Sequence, residues 1–366
     1  MLGLLLPTKR LTLSLLFTSN QFSLLNVLEF HIFEFFDERS EAIFMKSIIS
    51  ICILFYISPC YSAWYQESFD VMGTRAKVEF ESDSEELATK LKGLVIDEMN
   101  RVDRLMSPYK KDSELSKLNQ LAFKEEVSIS AELFDLLKKS ADYSKLTAGA
   151  FDITFSSIGY LYDYRKQKTP TAAQQQQLKE SIDFRSVHLN KSQLTVRFLN
   201  KNTKIDLGGI AKGHAVDSCI DILKAYGIKN AFVNAGGDSR VIGRKNDRLW
   251  YIGIRHPRDE QKLIVNMPLE EVSISTSGDY ERFFIKDNVR YHHIIDPSTG
   301  ESARQSQSVT VLAESSVDAD ALSTSIFVLG VVEGMKLVNQ LENVSAIIID
   351  KNGKMSISDD LTNPNK

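Results

Sequence analysis

From Trp64 onward, hydrophobic and polar positions follow two clear periods. Between residues 74 and 80, Ala76, Val78 and Phe80 occupy every second position, which predicts a strand with one buried face. Over 83–105 the period changes: Leu87, Leu91, Leu94, Val95, Val102 and Leu105 recur at helical spacing. Asp83 can serve as the N-cap of that helix, with Glu86 three residues on as in a capping box. Helical spacing also predicts a second helix from about Ala131 to Leu146. A third begins near Gly209 and places Ala215, Cys219, Ile220 and Leu223 on one face. Short apolar runs predict strands at 231–234, 249–254, 263–265 and 309–312, then a helix over 317–327. The chain closes with strands at 346–349 and Met355–Ile357, joined through an Asn352-Gly353 turn. Residues 166–180 are polar and Gln-rich and read as a solvated loop with a short helix. With no internal repeat and no proline-rich hinge, residues 64–366 predict one compact α+β unit of one or two lobes.

The N-terminus breaks this pattern. Residues 1–44 are rich in Leu and Phe but show neither a sustained helical period nor an apolar run near the roughly 20 residues that span a bilayer. Met45-Lys46 then precede the apolar run 48–57, and small residues with a helix breaker follow in Ser58-Pro59-Cys60-Tyr61-Ser62-Ala63. A charged start, a short apolar run and a small-residue exit make a secretory signal peptide over 45–63, with cleavage after Ser62 or Ala63. Translation is then expected to start at Met45, with 1–44 an upstream extension; the competing reading is an N-terminal membrane-associated segment. Ile57-Ser58-Pro59-Cys60 also resembles a lipoprotein box, which would make Cys60 a lipid anchor. The expected location is exported and periplasmic, with inner-membrane association if Cys60 is lipidated.

Composition removes several classes. The 366 residues carry 44 Lys+Arg against 48 Asp+Glu, a net charge of -4, which gives no basic surface for nucleic acid. A hydrophobic fraction of 43% and a charged fraction of 25% exclude wholesale disorder and a polytopic membrane protein. Three cysteines are too few for a disulfide scaffold and are not spaced as a metal site.

Four stretches combine glycine, carboxylate and hydroxyl residues. Asp206-Leu207-Gly208-Gly209-Ile210-Ala211-Lys212 leads into a helix, where backbone amides can approach an anion. Lys212 falls in the first turn, where the helix dipole disfavours a cation, so either a bound anion offsets it or it is a solvated lysine. Asp320 and Thr324 are four apart and can share a helix face, presenting two hard oxygens to Mg²⁺, or Asp320 simply caps the helix. His293 is a candidate general base beside Asp296-Pro297, or a structural hydrogen-bonded histidine. Zinc is disfavoured there, because His292 and His293 on a strand would point to opposite faces. Gly149-Ala150-Phe151-Asp152 suits a planar ligand, or an ordinary helix-to-strand connection.

Taken in order, these stretches resemble the ApbE family of flavin transferases. The resemblance spans residues 71–330. It runs through Met72-Gly73-Thr74, Ser107-Pro108-Tyr109, 112–119 (DSELSKLN), 149–152 (GAFD) and 206–213 (DLGGIAKG). It continues through 234–238 (NAGGD), 276–282 (TSGDYER), 293–300 (HIIDPSTG) and 319–324 (ADALST). His214 is a departure, standing where the family more often has an aromatic residue. The resemblance implies a mixed α/β fold with FAD in a cleft, and Mg²⁺-dependent transfer of the FMN half of FAD onto a threonine of an acceptor protein, releasing AMP. By position it implies FAD contacts at Met72, Tyr109, Ala150, Phe151, Asp152, Asp206 and Lys212. Mg²⁺ would be held by the carbonyl of Gly209 with Asp320 and Thr324, and His293 would be the base. Acceptors in the family are extracytoplasmic threonines on membrane-bound electron-transfer subunits. Hydrolysis of FAD to FMN and AMP, and flavin binding without turnover, are the alternatives.

Overall fold

The structure is a computed structural model that describes residues 62–362, together with a short antiparallel pairing of Ser14–Leu15 with Leu28–Glu29. The chain divides into two compact units, 1–61 and 62–366. Apart from that pairing, the expected upstream extension lies outside the described residues, as do nearly all of the expected signal peptide and Cys60.

Eight strands build the main sheet: β1 (Ala63–Val71), β2 (Thr74–Ser82), β3 (Ala231–Ala235), β4 (Asp238–Ile242), β5 (Val272–Gly278), β6 (Ser306–Ala313), β7 (Ser345–Asp350) and β8 (Met355–Ile357). They lie side by side in chain order, each antiparallel to the next. Tight turns make this order accessible. Met72 and Gly73 both take positive φ, 53° and 71°, and so form a two-residue hairpin loop whose twist matches its strands. Met72 tolerates that backbone only because the register on either side is fixed.

Side-chain alternation decides the layers. On β2, Ala76, Val78 and Phe80 are buried in one core with α1 (Glu85–Met106), α2 (Glu114–Leu121), α3 (Ala131–Leu146) and α4 (Ala211–Ala225). On β6 and β7, Val309, Val311, Ala313, Ala346 and Ile348 face α5 (Ser316–Val338). The opposite parity, Ile274, Leu312 and Ile347, meets Ile254 and Met267 of a hairpin formed by Trp250–His256 and Asp259–Leu269. The central strands are thus covered on both faces. Each fully buried Leu or Ile in such a layer stabilises the fold by about 1.5–3 kcal/mol. By length and composition α5 could cross a membrane, yet its N-terminal half is packed into the core of this fold.

Several expectations shift. The α1 N-cap is Ser84, whose side chain accepts from the Leu87 N–H, so the cap falls one residue beyond Asp83. The helix expected near Gly209 starts at Ala211, with no side-chain cap on Ile210. The helix expected over 317–327 continues to Val338, interrupted by Gly330 at φ 74°. Strands β1, β4 and β5 and helix α2 extend the expected set. In β5, serines occupy the inward face, so its sequence carries no apolar alternation pointing to the core.

Candidate active site

The turns at one end of the sheet and the N-terminal half of α5 enclose a cavity of about 1420 Å³. Every residue to which the resemblance gave an FAD, metal or base role lines it: Met72, Tyr109, Ala150, Phe151, Asp152, Asp206, Gly209, Lys212, His293, Asp320 and Thr324. Met72 arrives on the β1–β2 turn. Tyr109 stands on the loop after α1 with 81% of its surface exposed, leaving its ring free for a planar partner. That loop is fastened by Ser113 Oγ, which donates to the Ser107 carbonyl at 2.6 Å. Ala148 and Gly149 take φ 51° and 88° at the end of α3, turning the chain so that Ala150 and Phe151 reach the cavity.

Asp152 and Asp206 are partly committed to the chain itself. Asp152 accepts from the Thr154 N–H (2.8 Å), the Thr154 hydroxyl (2.6 Å) and the Phe184 N–H (2.8 Å), which shapes the loop below the cavity. Burial pushes its carboxyl up despite these bonds. Asp206 accepts from the Gly208 N–H at 2.6 Å, and burial raises its carboxyl too.

The electrostatic centre is Lys212. Its Nζ lies 2.8 Å from Asp238 Oδ2 and 3.2 Å from Asp320 Oδ2, and donates to the Gly208 carbonyl at 3.0 Å. Asp320 also accepts from the Gly213 N–H at 3.1 Å. Burial alone would lower the Lys212 ammonium, but the two carboxylates outweigh it and hold its pKa above the ordinary value. Burial, then the charge of Asp238, push Asp320 up. These contacts explain a lysine at a helix N-terminus without a bound anion. They also leave two buried carboxylates facing one ammonium.

That charge excess bears on metal binding. Asp320 and Thr324 project from successive turns of α5, and a methyl on Gly209 would lie 3.1 Å from Thr324 Oγ1. Backbone, hydroxyl and carboxylate thus converge. Hard oxygens with uncompensated negative charge fit Mg²⁺. Among the described residues there is no cluster of three or more His, Cys, Asp or Glu.

The paired histidines separate as their parity requires. His292 is buried, with Nε2 2.7 Å from the Ala303 carbonyl and Nδ1 accepting from the Ile294 N–H at 3.3 Å, so it is structural. His293 lines the cavity, and its Nδ1 is buried without a hydrogen-bond partner. Burial first, then His292, Arg282 and Lys212, push its pKa down to about 3, so the ring is neutral.

Two further residues complete the site. Asp238 is 1% exposed and bridges Lys212 to the hydroxyl of Ser275, and Arg282 lines the cavity beside the Gly73 carbonyl at 3.4 Å. Both lie within stretches noted above, 234–238 and 276–282, and a carboxylate directly after paired glycines is the signal that marks Asp238.

Comparison with known proteins agrees with this geometry. The ApbE family model matches residues 72–348. A FAD:protein FMN transferase of Treponema pallidum is 31% identical over 335 residues, covering 85% of this chain and 92% of the relative. One of Vibrio cholerae is 34% identical over 279 residues, covering 74% and 81%. Among solved structures, the ApbE protein of Thermotoga maritima superposes with a TM-score of 0.76 at 32% identity, covering 82% of this chain and 98% of that one. The flavin transferase ApbE of Vibrio cholerae gives a TM-score of 0.74 at 28% identity, covering 82% and 99%. With the family model matched over residues 72–348 and the fold shared with these solved structures, the chain belongs to the ApbE family.

Proposed function

We propose that this protein is a Mg²⁺-dependent FAD:protein FMN transferase that places FMN on a threonine of an exported acceptor and releases AMP. The observation that carries the reading is the meeting of Lys212, Asp320, Thr324 and the Gly209 backbone with a neutral, unpartnered His293 in one cavity. Binding alone needs no base, and a structural histidine would have a partner.

The chain's own residues divide the work. Tyr109, Phe151 and Met72 offer apolar surface to the rings of FAD, fixing the pyrophosphate in place. Gly209, Asp320 and Thr324 would hold Mg²⁺, which when bound neutralises charge on the pyrophosphate oxygens. Lys212 and Arg282 add fixed positive charge where the transition state gains negative charge. The threonine Oγ attacks the phosphorus of the FMN half, the pyrophosphate P–O bond breaks, and AMP leaves with the bridging oxygen. His293 takes the hydroxyl proton. Burial is the largest cause of the low pKa of His293; Arg282 and Lys212 add to it, and a bound pyrophosphate would offset that smaller part.

Incubation with FAD, Mg²⁺ and a threonine-bearing acceptor domain tests the reading. A fluorescent flavin band should survive denaturing gel electrophoresis. Free FMN and AMP with an unlabelled acceptor would favour hydrolysis, and FAD bound without turnover would overturn both enzyme readings. An exported enzyme would meet such acceptors on membrane-bound electron-transfer proteins; mass spectrometry of the mature N-terminus tests cleavage near Ala63 and lipid on Cys60.

A further inference from the structure

A row of hydroxyls runs from buried Asp238 to Thr324 at the proposed cation site, and the metal reading above uses only Thr324 of it. Ser275 Oγ donates to Asp238 Oδ1 at 2.5 Å. Ser275 Oγ lies 2.9 Å from Ser323 Oγ, Ser323 Oγ 2.9 Å from Ser277 Oγ, and Ser277 Oγ 3.3 Å from Thr324 Oγ1. Asp238, Ser275 and Ser323 are buried. We propose that Asp238 is a positioning residue that sets the direction of the Thr324 hydroxyl through this chain, turning the Thr324 lone pairs toward the cation. The inference rests on the reading of Gly209, Asp320 and Thr324 as the metal site.

Proton counting gives the direction. A carboxylate only accepts, and each hydroxyl has one proton to give. Ser275 therefore spends its proton on Asp238 and can only accept from Ser323. Ser323 also lies 3.0 Å from the carbonyl of Asp320, but donating there would leave the Ser275 and Ser323 oxygens facing each other with no proton between them. Ser323 thus donates to Ser275. By the same rule Ser277 donates to Ser323, and Thr324 donates to Ser277. Every proton points toward Asp238, and the oxygen of Thr324 is left as an acceptor on its open side, as a metal ligand must be.

Electron paramagnetic resonance titration of the full chain with Mn²⁺ alone tests this, with thermal melting to verify the fold. Outer partners of metal ligands typically change affinity by roughly 10–100-fold. Ser323→Ala removes the acceptor that Ser277 needs and should weaken Mn²⁺ binding by about 10-fold. Ser275→Ala frees the Ser323 proton: given to the Asp320 carbonyl it keeps the direction of the chain, and given to Ser277 it reverses that direction, so the chain has two settings. Half-population of the competent setting should weaken binding by about twofold. Ser273→Ala is the control: Ser273 is equally buried on β5, but it accepts from Ser316 at 3.2 Å and donates to the Glu314 carbonyl at 3.4 Å, both outside the chain of hydroxyls, and binding should not change. Wild-type affinity in Ser323→Ala, or an equal loss in Ser273→Ala, overturns the relay while the metal reading stands. Wild-type affinity in Ser275→Ala removes Asp238 as its anchor. Wild-type protein that takes up no Mn²⁺ overturns the metal reading and the relay with it.

Discussion

Lys212→Ala is the most informative single perturbation, because it leaves Asp238 and Asp320, 1% and 2% exposed, without their shared cation. Removing one partner of a buried ion pair costs about 3–5 kcal/mol, since the remaining charge stays desolvated. At about 2.1 cal/mol/K per residue over roughly 300 residues, the unfolding entropy is about 0.63 kcal/mol/K, so Tm should fall by about 5–8 °C. The same charge excess should strengthen cation binding. Mg²⁺ at about 100 times its Kd stabilises by about 2.7 kcal/mol, or about 4 °C on this scale. Melting of wild type and variant without FAD, with and without Mg²⁺, is the assay. We expect a lower Tm in the variant and a larger gain from Mg²⁺. A Tm equal to wild type would show that the lysine does not balance the carboxylates. Mg²⁺ raising wild type at least as much as the variant would refute the charge argument for the metal.

Asp320→Ala should abolish Mn²⁺ binding and lower flavin transfer by about 100-fold or more, read by Mn²⁺ titration and in-gel fluorescence. His293→Ala should slow transfer by roughly 10²–10⁴-fold while leaving FAD affinity nearly unchanged, separating base from binding residue by kcat against KM. Stability should fall with acid: the folded pKa of His293 lies below its unfolded value, so unfolding takes up a proton as pH drops below about 6.5. That loss continues toward about 3, near 2 kcal/mol at pH 5, and urea melts of His293→Asn should lack this part of the slope. Gly213→Ala would bring a methyl within 2.2 Å of the Ser316 carbonyl, where α4 meets the start of α5. Two backbones must then separate, and we expect a cost of about 3 kcal/mol or more by denaturant titration.

Where one face of an element is apolar and the other polar, the chain is legible on its own. Val78 and Phe80 mark β2, and Leu133, Phe134, Leu136 and Leu137 mark α3, whose bounds match the expected ones. β5 was not legible, because Ser273 and Ser275 are buried and Ser277 half-buried, and all three have partners on α5, far along the chain. Strand order could not be read either, since about 150 residues that include α1 to α4 separate β2 from its neighbour β3. The candidate site was legible as separate motifs. What held Lys212 in place was not, because Asp238 and Asp320 meet it only in the folded state.

The placement of β1 has a consequence for how the protein addresses its partners. Met72, at one end of this edge strand, lines the cavity, whereas Ala63 begins its other end. Nine residue steps at about 3.4 Å place the two roughly 31 Å apart. On the proposed anchoring near Cys60, a tether would join the protein at the end of this strand away from Met72. On that reading, the length of the tether would set how far from the bilayer the proposed acceptor threonine can lie.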